Sequence, residues 1–209
     1  EFIQTIIQDN NLLHPNFQCI FDLTRLTKDM VNEVHANSSI KPIKDLVFAV
    51  ESLIRVNLIN IKKLFKNNKT LIDVKFLNPD TLFRMSTKHN LALELDQACL
   101  RHALNYSKYL NYFVMLNILP RNLYLIDILA NILPFHSRLI LEVSESEAIN
   151  NFDLMMKSKN KLTDMKIQIA VDDFGKGFSG LDRIINLQPN FIKFDRSIVM
   201  DVDKDPIKQ

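Results

Sequence analysis

The sequence predicts an α/β fold of parallel βα units, on three observations. Short runs of β-branched and aromatic residues alternate with longer stretches of helical periodicity. Several short runs are apolar at consecutive positions, as in VFAV, FVML, LIL and IQIAV, which is the pattern of strands covered on both faces. Each such run finishes on a polar residue, so the carboxyl ends of the strands would share one polar face, where α/β proteins bind ligands. A doubly wound sheet and a (β/α) barrel both satisfy these observations.

The elements follow in order. FQCIFDL (17–23) reads as a strand, and the polar stretch 24–45, with Pro42 and no clear periodicity, as a long loop or loosely helical insertion. LVFAVESL (46–53) is the next strand, followed by helical periodicity in LINIKKLFKNN (58–68) and across 81–110. NYFVMLN (111–117), SRLILEVSE (137–145), KIQIAVDDF (166–174) and NFIKFD (190–195) complete the strands. The helical stretches between them are NLYLIDILANIL (122–133), EAINNFDLMMKSKNKL (147–162) and GLDRIINL (180–187). No internal repeat or linker divides the chain.

At 209 residues and 47% hydrophobic, the chain suits one domain with a sizeable core. A net charge of +2, with acidic and basic residues interspersed, excludes a basic stripe and argues against duplex nucleic acid as a partner. Cys19 and Cys99 are far apart, with no CxxC spacing, which suits a reducing compartment and buried free thiols. Asn117, Arg121 and Asp127 interrupt the longest apolar region before it reaches the ~18–20 residues of a membrane span. A cytoplasmic domain is expected, with any membrane anchor in a region preceding Glu1.

The polar endings carry the chemistry. LVFAV runs into Glu51, YFVML into Asn117, RLIL into Glu142, IQIAV into Asp172 and Asp173, and NFI into Lys193. Taken singly, an acidic residue after an apolar run is most often a helix N-cap or a solvated loop residue. Together these endings offer hard oxygen donors on one face, which points to Mg²⁺ or Mn²⁺. Adjacent aspartates can hold two such ions close together for displacement at phosphorus. The three glycines of the chain, Gly175, Gly177 and Gly180, all follow this Asp-Asp pair. A tight turn with positive φ and close backbone approach would use them. Their spacing is not that of a P-loop.

DDFGKGFSG followed by NFIKFDRS closely resembles the signature of EAL domains, bacterial phosphodiesterases of cyclic di-GMP, usually close to DDFGTGYSS and then a Lys-x-Asp strand. Other segments fall into the family's order. FQCIFDL resembles the opening strand, Glu51-Ser52-Leu53-Ile54-Arg55 the naming motif, FVMLNILPRNL the strand with the metal-binding Asn, and LEVSES the Leu-Glu-x-Thr-Glu-Ser strand. The resemblance implies a TIM-like (β/α) barrel. It implies Glu51, Asn117, Glu142 and Asp172 as ligands of one divalent cation, and Asp172 with Asp173 as ligands of a second. It makes Lys193 the residue that contacts the metal-bound water and the phosphate, Gln18 and Arg55 the ligand-contacting pair, and Glu145 the carboxylate that holds the glycine loop. Ser52, Ser144 and Val56 replace the family's usual Ala, Thr and Trp.

The resemblance also implies two further barrel strands, bearing a catalytic Glu and then a Gln, beyond Gln209. Residues 1–209 are therefore expected to be a C-terminally incomplete EAL domain. The implied reaction is hydrolysis of cyclic di-GMP to linear pGpG with two Mg²⁺ or Mn²⁺ ions. The alternatives are a non-enzymatic receptor of cyclic di-GMP and an interaction domain that uses the barrel as a scaffold. Homodimerisation through the region after DDFG, and attached sensory or GGDEF-type domains, are expected as well.

Overall fold

A computed structural model of the chain describes residues 2–37, 44–64, 78–125, 136–176 and 181–206. All six predicted strands are present: β1 (Leu13–Phe21), β2 (Val47–Val56), β3 (Phe113–Asn117), β4 (Leu139–Ser144), β5 (Gln168–Phe174) and β6 (Phe191–Phe194). Among the described residues they form one sheet in sequence order. From β2 to β6 every pairing is parallel.

The first pairing departs from the expectation of parallel units throughout, because β1 runs antiparallel to β2. Asp22 N–H donates to Leu46 O at 2.7 Å, so the chain leaves β1 and rejoins β2 at the same end of the sheet, as an antiparallel return requires. Within 24–45, the expected loop or insertion, lie the end of a 3₁₀ turn (Leu23–Arg25) and helix α2 (Lys28–Asn37), while 38–43 fall outside the described residues.

The helices are α1 (Phe2–Gln8), α2, α3 (Leu58–Leu64), α4 (Pro79–Lys88), α5 (Ala92–Ser107), α6 (Glu145–Asn150), α7 (Phe152–Asp164), α8 (Leu181–Leu187) and α9 (Arg196–Val199). The periodic stretch 81–110 is two helices rather than one. Asn90, at φ +56°, breaks it with a left-handed residue that Asn tolerates well. Asn78 starts α4, its side chain accepting from Thr81 N–H at 2.8 Å ahead of Pro79. The stretch 147–162 divides similarly at Asn151, into α6 and α7. In 122–133, a 3₁₀ turn covers Pro120–Leu125 and the remainder lies outside the described residues.

Three apolar layers result. The outer face of the sheet, with Val50, Val114, Leu116, Leu139, Leu141, Ile169 and Val171, packs under the helices with Leu104, Met155, Leu162 and Ile184. A satellite core joins Ile3, Ile6, Leu13, Val56, Ile61, Leu82 and Leu95. The inner face carries a smaller layer of Ala49, Met115, Ile140 and Ala170, with Phe113 and Phe191 packed against it. Both faces of the parallel strands are thus covered, which is why their sequences are continuously apolar. At β2 the register skips Phe48, so that Ala49 and Val47 pair with Ile20 and Phe21. This bulge brings Phe48 onto the inner layer, 5.1 Å from the Phe113 ring and 5.6 Å from that of Phe191.

The sheet is strongly curved. On a flat sheet β2 and β6 would lie four strand spacings apart, roughly 19 Å. Instead the Lys193 ammonium on β6 lies 3.1 Å from Glu51 Oε2 on β2. Side chains span such a gap only if the sheet curls into an arc of a barrel around them.

Candidate metal centre

Side chains alternate faces along a strand, so the residue two positions beyond an inner-layer residue points inward again, about 6.6 Å further along. Ala49, Met115, Ile140, Ala170 and Phe191 are followed at that interval by Glu51, Asn117, Glu142, Asp172 and Lys193. The polar residues at the ends of the apolar runs therefore form the next inward layer. Their strands need not end there, since β2 continues to Val56 and Glu51 lies within it rather than at its end.

Carboxylate oxygens of Glu51, Glu142 and Asp172 lie within 4.8 Å of one another. Lys193 Nζ sits among them, 2.8 Å from Glu142 Oε1, 3.1 Å from Glu51 Oε2 and 3.2 Å from Asp172 Oδ2. Asn117 Nδ2 approaches Glu142 Oε2 at 3.5 Å. Turning that amide over would direct its oxygen inward instead.

The electrostatics follow from burial. The Glu142 side chain is fully enclosed, and burial pushes its carboxyl up to about 7. Lys193 opposes that rise, while Glu51 and Asp172 add to it. Burial disfavours the Lys193 charge, but Glu142, Glu51 and Asp172 outweigh it and hold the ammonium protonated well above the usual lysine range. With all three carboxylates ionised, one lysine leaves two negative charges uncompensated. Hard oxygen donors with that residual charge fit a hard divalent cation.

The Asp-Asp pair is divided. Between Val171 and Phe174, β5 carries one more residue than β6 opposite it, a bulge in which Asp173 takes φ +59°. Asp172 stays in the cluster and accepts from Asp173 N–H through Oδ1 at 2.8 Å. Asp173 is not brought into it. Its carboxylate pairs with Lys176 Nζ at 2.7 Å, and the same ammonium lies 3.1 Å from Asp195 Oδ2. Asp195 is held down at about 2, first by the Ser197 hydroxyl and N–H at the start of α9, then by Lys176.

Gly175 follows at φ +99°, and its N–H donates to Glu145 Oε2 at 2.9 Å. A Cβ there would come 1.9 Å from Ile198 Cδ1. Glycine is thus required by both conformation and space. Gly177 and Gly180 lie outside the described residues.

Gln18 pairs across the strands with Glu51, at the rim of the cluster. Arg55 is four residues beyond Glu51 on β2, and its Nη1 donates to Ile54 O at 3.0 Å. The guanidinium is therefore not gathered into the cluster, and lines a cavity of about 720 Å³ together with Asn117, Asp96 and residues of α4. Ser52 is buried on the opposite face of β2. Cys99 is buried as expected, but Cys19, also expected to be buried, is exposed on β1. Lys176 was not singled out by sequence reasoning, although it stands in the signature where the family text usually has Thr. Asp96 was missed too; its signal was a carboxylate on the apolar face of α5, between Leu95 and Ala98.

The chain belongs to the EAL domain family, whose model matches residues 68–209. It is 27% identical over 169 residues to the cyclic di-GMP phosphodiesterase PdeA of Borreliella burgdorferi, covering 70% of this chain and 25% of that protein. It is 41% identical over 68 residues to the probable cyclic di-GMP phosphodiesterase PdeG of Escherichia coli K12, covering 32% of this chain and 13% of that one. The chain thus spans at most a quarter of the length of these two relatives. The Klebsiella pneumoniae BlrP1 manganese/cyclic di-GMP complex at pH 6 superposes with a TM-score of 0.69 at 22% identity, over 95% of this chain and 44% of BlrP1. The fold is accordingly the TIM-like barrel of EAL domains. The family match begins downstream of Gln18, Glu51 and Arg55; Glu51 is tied to the cluster by its ion pair with Lys193, and Gln18 stands opposite Glu51 in the strand register.

Proposed function

We propose that this domain is a metal-dependent phosphodiesterase that hydrolyses cyclic di-GMP to linear pGpG. The observation that carries the reading is the meeting of Glu51, Glu142 and Asp172 around Lys193 on the inner face of an EAL barrel. Glu51, Asn117, Glu142 and Asp172 would hold one Mg²⁺ or Mn²⁺, and Asp172 with Asp173 a second. Bound cations supply neutralisation of the phosphodiester and a lower pKa for the attacking water. Water adds to phosphorus, the P–O3′ bond breaks, and the 3′ oxygen leaves with a proton.

The chain's own residues do the rest. Lys193, released from the carboxylates, presents its ammonium to the phosphate and the incoming water. Arg55 offers a planar fork to phosphate oxygens, with Gln18 directly across from Glu51 on β1. Glu145 keeps the Gly175 turn beside Asp173. Homodimerisation through the region after Gly175, and attached sensory or GGDEF-type domains, belong to the same proposal; solution scattering at micromolar concentration tests the dimer.

The deciding experiment is a chromatographic time course of cyclic di-GMP, in Mg²⁺ and then Mn²⁺, with the longest natural chain containing this segment. pGpG is expected to appear, and Asp172→Asn to slow its formation by at least about 100-fold, beyond the effect of removing a partner outside the ligand set. One observation favours a receptor instead: Lys176 already neutralises Asp173. Tight binding of cyclic di-GMP without hydrolysis in Mn²⁺ would establish that reading.

A further inference from the structure

We infer that Asp96 is a positioning residue that aims Asn117 at the carboxylate cluster, through a buried clamp shared with Asn122. The inference rests on the reading of Asn117 as a cation ligand. Asn117 is the last residue of β3, so its direction depends on how the backbone leaves the strand. The next two N–H groups are both taken. Ile118 N–H donates to Glu142 O at 3.0 Å, tying the exit to the strand that carries Glu142. Leu119 N–H donates to Asp96 Oδ2 at 3.0 Å, tying it to α5.

The same oxygen accepts from Asn122 Nδ2 at 2.6 Å. Asn122 is fully buried, and its amide is saturated. The second N–H donates to Leu93 O at 3.1 Å, and Oδ1 accepts from Gln97 Nε2 at 3.3 Å. Asn122 N–H closes the turn onto Leu119 O at 2.8 Å. Residues 118–122 are therefore strapped to one turn of α5, with Ile118 and Leu123 buried at either end. Asp96 itself is 3% exposed, among Leu95, Ala98 and Cys99, where an apolar side chain would pack at lower cost. A carboxylate in that place answers the Leu119 N–H and the Asn122 amide, whose alternative is burial without an acceptor.

The test measures Mn²⁺ affinity of the full natural chain by calorimetry, alongside urea unfolding. Asp96→Leu keeps the bulk but removes the acceptor of both the Leu119 N–H and the Asn122 amide. Its Mn²⁺ affinity is expected to fall by about 10- to 100-fold, as for other partners that orient a metal ligand. Asp96→Asn can place its amide oxygen where Oδ2 stands and accept from both donors, so most of the affinity should be kept. Cys99→Ala, on the same buried face of α5, should lower stability and leave Mn²⁺ affinity unchanged. The inference is overturned if folded Asp96→Leu binds Mn²⁺ like the unaltered chain, or if Cys99→Ala loses as much affinity. Should Asp96→Leu fail to fold, Asp96→Asn decides, since affinity reduced by about 10-fold in a folded protein that keeps the acceptor overturns the clamp as drawn. A chain that binds Mn²⁺ but leaves cyclic di-GMP intact removes the phosphodiesterase reading and leaves the Asp96 result standing.

Discussion

Two lysines gather carboxylates at this end of the sheet, and they do it in opposite settings. Lys193 stands among Glu51, Glu142 and Asp172 within the curve of the barrel, where Glu142 has no exposed side-chain surface. Lys176 bridges Asp173 and Asp195 at the rim, with more than half of its own side chain exposed. In the inner group burial dominates, and Glu142 is driven up to about 7. At the rim hydrogen bonds dominate, and Asp195 is driven down to about 2. The inner group is costly as it stands and has two negative charges left for a dication; the rim group is left with one, in an exposed setting where it costs little. The same residue types thus differ because one set is withdrawn from water.

The largest expected effect breaks the inner group. Lys193→Met should leave three carboxylates facing one another in a partly buried site and destabilise the cation-free protein by about 3 kcal/mol. Urea unfolding in EDTA measures the loss, and saturating Mn²⁺ should recover most of it. An equal loss with and without Mn²⁺ would mean that cation and lysine do not share the same carboxylates.

A second expectation concerns pH. In the cation-free protein Glu142 keeps its proton up to about 7, whereas a glutamate in water loses it near 4.5. The folded state binds more protons than the unfolded chain between those values. This contribution to stability is therefore complete below pH 4.5 and is lost as pH rises through about 7. A cation must displace the same proton, so Mn²⁺ affinity should rise by up to about tenfold per pH unit and level off once Glu142 is ionised. Calorimetry between about pH 5.5 and 8.5 shows the slope, and a flat profile would separate Glu142 from the cation.

The smallest effect sharpens the contrast at the rim. Lys176→Thr releases Asp173 from an exposed ion pair and should tighten binding of a second Mn²⁺ by about fivefold, with the first nearly unchanged. Mn²⁺ electron paramagnetic resonance distinguishes the two ions through their spin coupling. Identical second-site affinity in both proteins would show that Lys176 moves aside without cost.

Much of this was legible in the residues. The runs ending at Glu51, Asn117, Glu142, Asp172 and Lys193 read as strands, and an alternation of period two was enough to put those five side chains one layer above an apolar one. Asp173 was not legible, because a bulge and a positive φ remove it from that alternation, and neither has a residue pattern of its own here. The antiparallel course of β1 was hidden for a similar reason: its composition matches that of a parallel strand, and direction depends on where the chain returns.

The sequence by itself determined the periodicities, the order of the elements and the polar residue on which each apolar run ends, since each is set by neighbours along the chain. Only the tertiary structure decided which of those side chains meet. Glu51 and Lys193 stand 142 positions apart and are joined by the curvature of the whole sheet. Asp96 became an acceptor for the turn after Asn117 only when α5 packed beneath it. Contacts of that kind depend on register, curl and burial, which are properties of the assembled sheet and helices and of no single segment.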